Sequence, residues 1–106
     1  MLELTGKQKR HLRSIGQHLD ARAAVGKGGL SDAFLESVRA LLAHEELIKI
    51  RLPAGPGKWR SEVAAEIAEA VAAVCAGVVG RTALLYRPNE DLDDKKRIHL
   101  PAAAGE

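Results

Sequence analysis

The chain has 106 residues, 46% of them hydrophobic and 28% charged, with a formal net charge of +2. That length suits one domain with one modest core and excludes a multidomain architecture. No apolar run reaches a membrane span, and the lone cysteine, Cys75, excludes an intramolecular disulfide and fits a reducing cytosol. The stretch Met1-Leu2-Glu3-Leu4-Thr5 lacks the apolar core of a signal peptide, so a cytoplasmic location is expected.

Charge is unevenly spread. Residues 1–30 carry Lys7, Lys9, Arg10, Arg13, Arg22 and Lys27 against Glu3 and Asp20, a balance of +4, whereas residues 31–80 balance at −2 and the remainder cancels. A basic N-terminal third on a near-neutral chain suggests one positive face, the footprint of a polyanion partner.

Thr5-Gly6-Lys7-Gln8 has the form of a capping box, and the helix it opens is expected to run to Gly16 or His18. Leu12, Ile15 and Leu19 give that helix a narrow apolar stripe. Lys9 and Arg13 stack at i, i+4 with Arg10 beside them and Lys7 on the remaining surface. Like charges so placed repel, a cost easier to understand if an anion binds there. Arg22-Ala23-Ala24-Val25 reads as a first strand on position alone, because alanine is a poor strand former.

Val25-Gly26-Lys27-Gly28-Gly29-Leu30 follows, with three glycines in four positions. Such a loop has almost no side-chain bulk, so its backbone can approach a ligand closely. It runs into a helix that Ser31 caps and Asp32 begins, with Leu30 and Leu35 at the positions of a hydrophobic staple. A helix N-terminus favours anions, and a Gly-x-x-Gly loop before a helix is the device with which KH domains clamp a nucleic-acid backbone. Phe34, Leu35, Val38, Leu41 and Leu42 form a wide apolar face, and the helix is expected to end near His44 or Glu45.

Leu47 to Leu52 alternates, with Ile48, Ile50 and Leu52 on one side and Lys49 and Arg51 on the other, which predicts a half-buried strand with a basic outer face. Pro53-Ala54-Gly55-Pro56-Gly57 is a loop. Gly57-Lys58-Trp59-Arg60 extends that loop or opens a third helix, which is expected from around Ser61; Trp59, read in the loop, could stack, pack or do neither. Gly77 is a candidate C-terminal stop for that helix. Gly80-Arg81 suits a type II′ hairpin turn between Val78-Val79 and Thr82 to Arg87, and Pro88 ends the strand. Tyr86 is expected to pack in or beside the sheet. From Asn89 charge is dense and apolar residues sparse, which predicts a charged, mostly disordered tail over 89–106 with Ile98-His99-Leu100-Pro101 as a last attachment.

The order helix, strand, Gly-x-x-Gly loop, helix, strand, helix, strand, strand resembles the CRM domain (chloroplast RNA splicing and ribosome maturation) in its stand-alone bacterial YhbY-like form. The residues that carry the resemblance are Leu4-Thr5 with Gln8-Lys9 and Leu12-Arg13; Val25 to Ser31; His44-Glu45 with Leu47 to Ile50; and Val79 to Thr82 with Leu84 to Pro88. The resemblance implies a single α/β domain over residues 1–88, with a four-stranded mixed sheet packed with helices, similar to the C-terminal domain of the third translation initiation factor. It implies RNA binding without catalysis, the RNA being ribosomal and the setting large-subunit assembly. Carried over, the RNA site is Gly26, Lys27, Gly28 and Gly29 with Lys7, Lys9, Arg10 and Arg13.

The match departs in three places. Val71-Ala72-Ala73 stands where the family has a Thr-Gly-Ala turn, which moves the start of the third strand to near Val74, the register adopted over the Gly77 reading. Glu45-Glu46 adds an acid to the usual His-Glu-Leu run, and Leu19 to Ala23 departs from a Leu-Lys-Pro pattern.

Two rival classes are weaker. A protein-interaction adaptor is compatible with the thin aliphatic core. An enzyme is disfavoured, since the loop lacks the spacing of a nucleotide P-loop and His11, His18, His44 and His99 are scattered away from metal-ligand spacing. No cofactor or metal is expected, no membrane contact is expected, and a monomer is assumed.

Overall fold

The computed structural model describes residues 3–26 and 28–102. Its elements are α1 (Gly6–Gly16), β1 (Ala21–Ala24), α2 (Asp32–Leu42), β2 (Leu47–Arg51), α3 (Gly57–Ala70), β3 (Val74–Val79) and β4 (Thr82–Tyr86), followed by a 3₁₀ turn at Asp94–Lys96. The four strands form one mixed sheet in the order β1-β2-β4-β3. β1 runs parallel to β2, and β4 is antiparallel to both its neighbours. The α3 crossover therefore skips one strand position, and the β3–β4 hairpin fills it.

Local chemistry sets the element ends. Thr5 caps α1 in a full capping box: its hydroxyl accepts from Gln8 N at 3.1 Å, and Gln8 Oε1 accepts from Thr5 N at 3.1 Å. Ser31 caps α2 by accepting from Phe34 N at 3.2 Å. α2 stops at Leu42, two residues short of the expected end, because Ala43 becomes the cap and His44 turns back onto the Leu41 carbonyl. Gly80 adopts φ 58° in the β3–β4 turn while Arg81 does not have positive φ, as the first position of a II′ turn requires.

α3 begins at Gly57, not near Ser61. Arg60 N closes the turn on Pro56 O at 3.0 Å, and Trp59 thereby belongs to the helix rather than to the loop. The other end follows the family register. α3 ends at Ala70, β3 begins at Val74, and Gly77 lies inside the strand. Between them Ala72 takes φ 58°, the left-handed region that favours glycine.

The sheet is covered on both faces. On one, Val38 and Leu42 of α2, Ala64, Ile67 and Ala68 of α3 and its cap residue Val71 bury Ile48, Ile50, Leu52, Ala83 and Leu85. On the other, Leu12 of α1 joins Leu47, Ala76, Leu84 and Tyr86, with Leu4, Ile15, Leu19, Ile98 and Leu100 around them. β2 is consequently not a strand with a solvated basic face. Lys49 is half-buried under the α1–β1 connection and its ammonium donates to Leu19 O at 3.0 Å; Arg51 remains exposed. Tyr86 is buried in the sheet as expected. Burial, with the charge of Glu46 next, pushes its phenol above the ordinary range, against the pull of Arg97.

One charged residue is buried among the described residues: Glu46, at the head of β2. Its carboxylate accepts from Asn89 N at 2.6 Å, from Ile98 N at 2.6 Å and from Arg97 Nε at 3.2 Å. Its own carbonyl accepts from Arg87 N at 2.8 Å. These bonds fold residues 89–98 back over the sheet and seat Ile98 and Leu100 in the second apolar cluster, while Gln8 Nε2 donates to Pro101 O at 3.0 Å. The attachment expected at Ile98 to Pro101 is thus made in part through one acid 52 residues before Ile98.

Two outcomes follow. Glu46→Ala is expected to destabilise the fold by about 3 kcal/mol, the order for removing one partner of a buried charged network. Hydrogen exchange should show protection lost first in residues 89–98. Ala72→Gly should raise stability by about 1 kcal/mol by relieving a left-handed alanine, read as a higher denaturant midpoint with an unchanged slope.

Candidate nucleic-acid interface

The Gly-x-x-Gly loop leaves β1 at the end of the sheet where β2 also ends: Val25 N donates to Arg51 O at 3.0 Å. Gly29 N donates back to Gly26 O at 3.0 Å, closing the turn, and Gly29 holds φ 65°. A Cβ built on Gly26, Gly28 or Gly29 would meet nothing within 4 Å. The glycines therefore do not serve internal packing. They leave open space beside the backbone, and only Gly29 among the three adopts a positive φ. Lys27 lies outside the described residues.

The α2 N-terminus beside the loop is partly committed. Ser31 takes the Phe34 N–H, and Asp32 in the first turn offsets part of the positive end of the dipole. An anion held here would rely on the loop backbone and on nearby cations more than on the helix end.

The basic residues of α1 divide into two pairs. Lys7 and Arg10 are exposed; Lys9 and Arg13 are half-buried along the β3 side of the helix. Arg13 Nη1 donates to Ala76 O at 3.1 Å, and its aliphatic stem crosses Gly77, where a Cβ would come within 2.9 Å of Arg13 Cδ. Gly77 is thus the gap through which Arg13 reaches the strand, not a helix stop. Cys75 on the same strand is half-buried, and burial pushes its thiol up, against smaller opposing effects of the Gly77 carbonyl and the Lys9 charge. A thiol held neutral in this way is a small hydrophobe rather than a nucleophile.

The sheet order separates what the sequence grouped. The loop follows β1 and Arg13 lies on β3, at opposite edges of β1-β2-β4-β3. Three interstrand spacings of roughly 4.8 Å part them, about 14 Å. Between them, on the α1 face, is a cleft of about 270 Å³ lined by Arg13, Gln17, Lys49, Val79, Thr82 and Leu84, among others. Lys49, Gln17 and Thr82 are the residues the sequence reading left out. The alternation of Lys49 and Arg51 was the available signal, but strand period alone does not say which part of a face its helix leaves bare. A larger cleft, about 640 Å³, opens at the other end of β2, beside His18, Arg22, His44 and Lys96. Among the described residues no group of three or more His, Cys, Asp or Glu is placed to hold a metal ion.

Three helices, a β1-β2-β4-β3 mixed sheet and a Gly-x-x-Gly turn ahead of α2 define the CRM type of α/β domain. The family model for the CRS1/YhbY (CRM) domain matches residues 4–87, and the chain belongs to that family. It is 34% identical over 98 residues to the Bacillus subtilis protein named "Probable RNA-binding protein YqeI", covering 92% of this chain and 99% of that one. A Haemophilus influenzae protein named as an RNA-binding protein is 29% identical, with 95% and 98% covered. The solution structure of Staphylococcus aureus SAV1595, described as a hypothetical protein and a candidate RNA binder, superposes with a TM-score of 0.80 at 31% identity, covering 93% of this chain and all of that one.

The loop geometry gives a contrast to measure. Gly26→Ala should leave thermal stability within about 0.5 kcal/mol of the parent, since the added methyl enters open space. Gly29→Ala should cost about 1 kcal/mol for its positive φ.

Proposed function

We propose that the protein is an RNA-binding module without catalytic activity, which holds an RNA backbone between its Gly-x-x-Gly loop and the basic surface of α1. The observation that carries this reading is the open space beside Gly26, Gly28 and Gly29 at a sheet end that also presents Arg51. Gly26, Lys27, Gly28 and Gly29 would receive a phosphate through backbone N–H groups. Lys7, Lys9, Arg10 and Arg13 would supply charge along the helix, with Arg13 already oriented by its bond to Ala76 O.

The separation of the loop from Arg13 makes the footprint a stretch of backbone rather than a single phosphate. Lys49 and Thr82 lie on the path between them. Backbone and shape contacts would then dominate over reading of base edges. The names of the relatives support RNA as the class of partner. Ribosomal RNA of large-subunit precursors, in the cytoplasm, is the specific target we infer, on the strength of the resemblance set out above.

Titration of the intact chain with structured ribosomal RNA fragments at several salt concentrations tests the proposal. With roughly four to six phosphates neutralised, log K should fall against log[salt] with a slope of about −3 to −4. A folded Lys27→Asp, Arg10→Glu variant should lose most of the affinity and flatten the slope. Equal binding by both chains, or binding that persists at high salt, would move the role to protein docking.

A further inference from the structure

Trp59 is the one tryptophan of the chain, and its side chain is 41% exposed. A single exposed aromatic is ordinary. What distinguishes this one is where the fold puts it. α3 begins at the same end of the sheet as the Gly-x-x-Gly loop, because β1 and β2 run parallel and α3 follows β2 after a short loop. The β3–β4 turn reaches this end too, since Arg51 pairs with Thr82.

The start of α3, the residue after β2 and the hairpin turn are fastened to one another. Arg60 Nη1 donates to Gly80 O across to the hairpin turn. Leu52 N donates to Arg81 O at 2.6 Å, and Arg81 Nε donates back to Leu52 O at 3.3 Å. The indole rests against Gly55, where a Cβ would come within 2.5 Å of its ring, so the glycine makes room for the ring to lie against the loop. The position of the ring is fixed by backbone, not by chance contact.

The surroundings are cationic. Arg51, Lys58 and Arg81 are exposed around this end and Arg60 is half-buried beneath it, with its Nε unpartnered. Asp32 and Glu62 are the acids nearest in sequence to these segments. The first turn of α3 contains no acid and its cap, Pro56, offers no side-chain acceptor, so the positive end of that helix is uncompensated. An aromatic face framed by positive charge is suited to a nucleotide, whose base stacks while its phosphate is neutralised.

We infer that Trp59 is a stacking platform for one unpaired base of single-stranded RNA, with Arg60 and Arg81 facing the adjoining phosphates. This rests on the RNA-binding reading and extends it, since it gives the protein a preference for unpaired over duplex RNA that the loop and α1 alone would not. In a duplex the base faces are already stacked on one another, so no face is available to the indole.

The lone tryptophan makes the test site-specific. The intact chain is titrated with a short single-stranded oligoribonucleotide, end-labelled for anisotropy, and separately with the same strand annealed to its complement. Trp59 fluorescence is followed in both titrations. The single strand should quench it in step with the anisotropy change, and the duplex should not. Trp59→Ala should weaken single-strand binding about tenfold or more, given the usual worth of one stacked base, with the salt slope unchanged. Trp59→Phe should recover most of that affinity, and circular dichroism should show both variants folded. Binding without quenching, or Trp59→Ala binding as tightly as the parent, overturns the inference. If the Lys27→Asp, Arg10→Glu variant loses binding while Trp59→Ala does not, RNA binding stands and the platform alone falls. If the parent binds neither RNA at low salt, both fall together.

Discussion

The buried carboxylate of Glu46 is the constraint on which the second half of the architecture depends. A charge at the head of a central strand, wholly removed from water, must be compensated where it sits. The compensation comes from a segment some fifty residues later, through two backbone N–H groups and one guanidinium. Once those bonds form, Ile98 and Leu100 have no choice of position. They land on Tyr86, Leu47 and Leu12 and complete the apolar layer that holds α1 to the sheet. One acid thereby links the tail, the central strand and the helix that carries more basic residues than any other element. In a domain whose total stability is of the order of 5–15 kcal/mol, an interaction of that size decides whether the layer is present.

The same packing divides the cations by duty. Arg13 and Lys49 each donate to a main-chain carbonyl and are half-buried. Arg39 and Arg87 donate to the Ala70 and Val71 carbonyls at the end of α3. These side chains serve the fold first, and their charge reaches the surface from anchored positions. Lys7, Arg10, Arg51 and Lys58 are exposed by contrast. An RNA laid across the α1 face would meet a pre-set line of charge near the sheet and a softer fringe outside it.

Signals that act within a turn or two were legible in the sequence. The Thr5–Gln8 capping box, the Ser31 cap and the Gly80 turn each form as their residues dictate, because each is decided by contacts three residues apart or fewer. The family resemblance supplied the register at Val71-Ala72-Ala73 that glycine placement alone misassigned to Gly77. What was not legible is what depends on which strands become neighbours. Lys49 reads as solvated because period two cannot report that α1 lies over that face. Arg13 and the glycine loop read as one site because sequence distance says nothing of the β1-β2-β4-β3 order that puts them at opposite edges. Glu46 reads as a redundant acid because its partners lie beyond residue 88. Gly57 to Arg60 reads equally as loop or as helix opening, because Pro56 and Gly57 punctuate a loop and a helix start alike; the structure makes it the helix.

The bond from Gln8 to Pro101 joins residues 93 apart. The two apolar layers therefore mature at different times during synthesis. Everything that buries Ile48, Ile50 and Leu85 lies between Ala23 and Leu85, so that side of the sheet does not need the residues after Tyr86. The α1 side waits for Ile98 and Leu100. Until those residues leave the exit tunnel, the N-terminal helix is tethered to a sheet that cannot yet retain it fully.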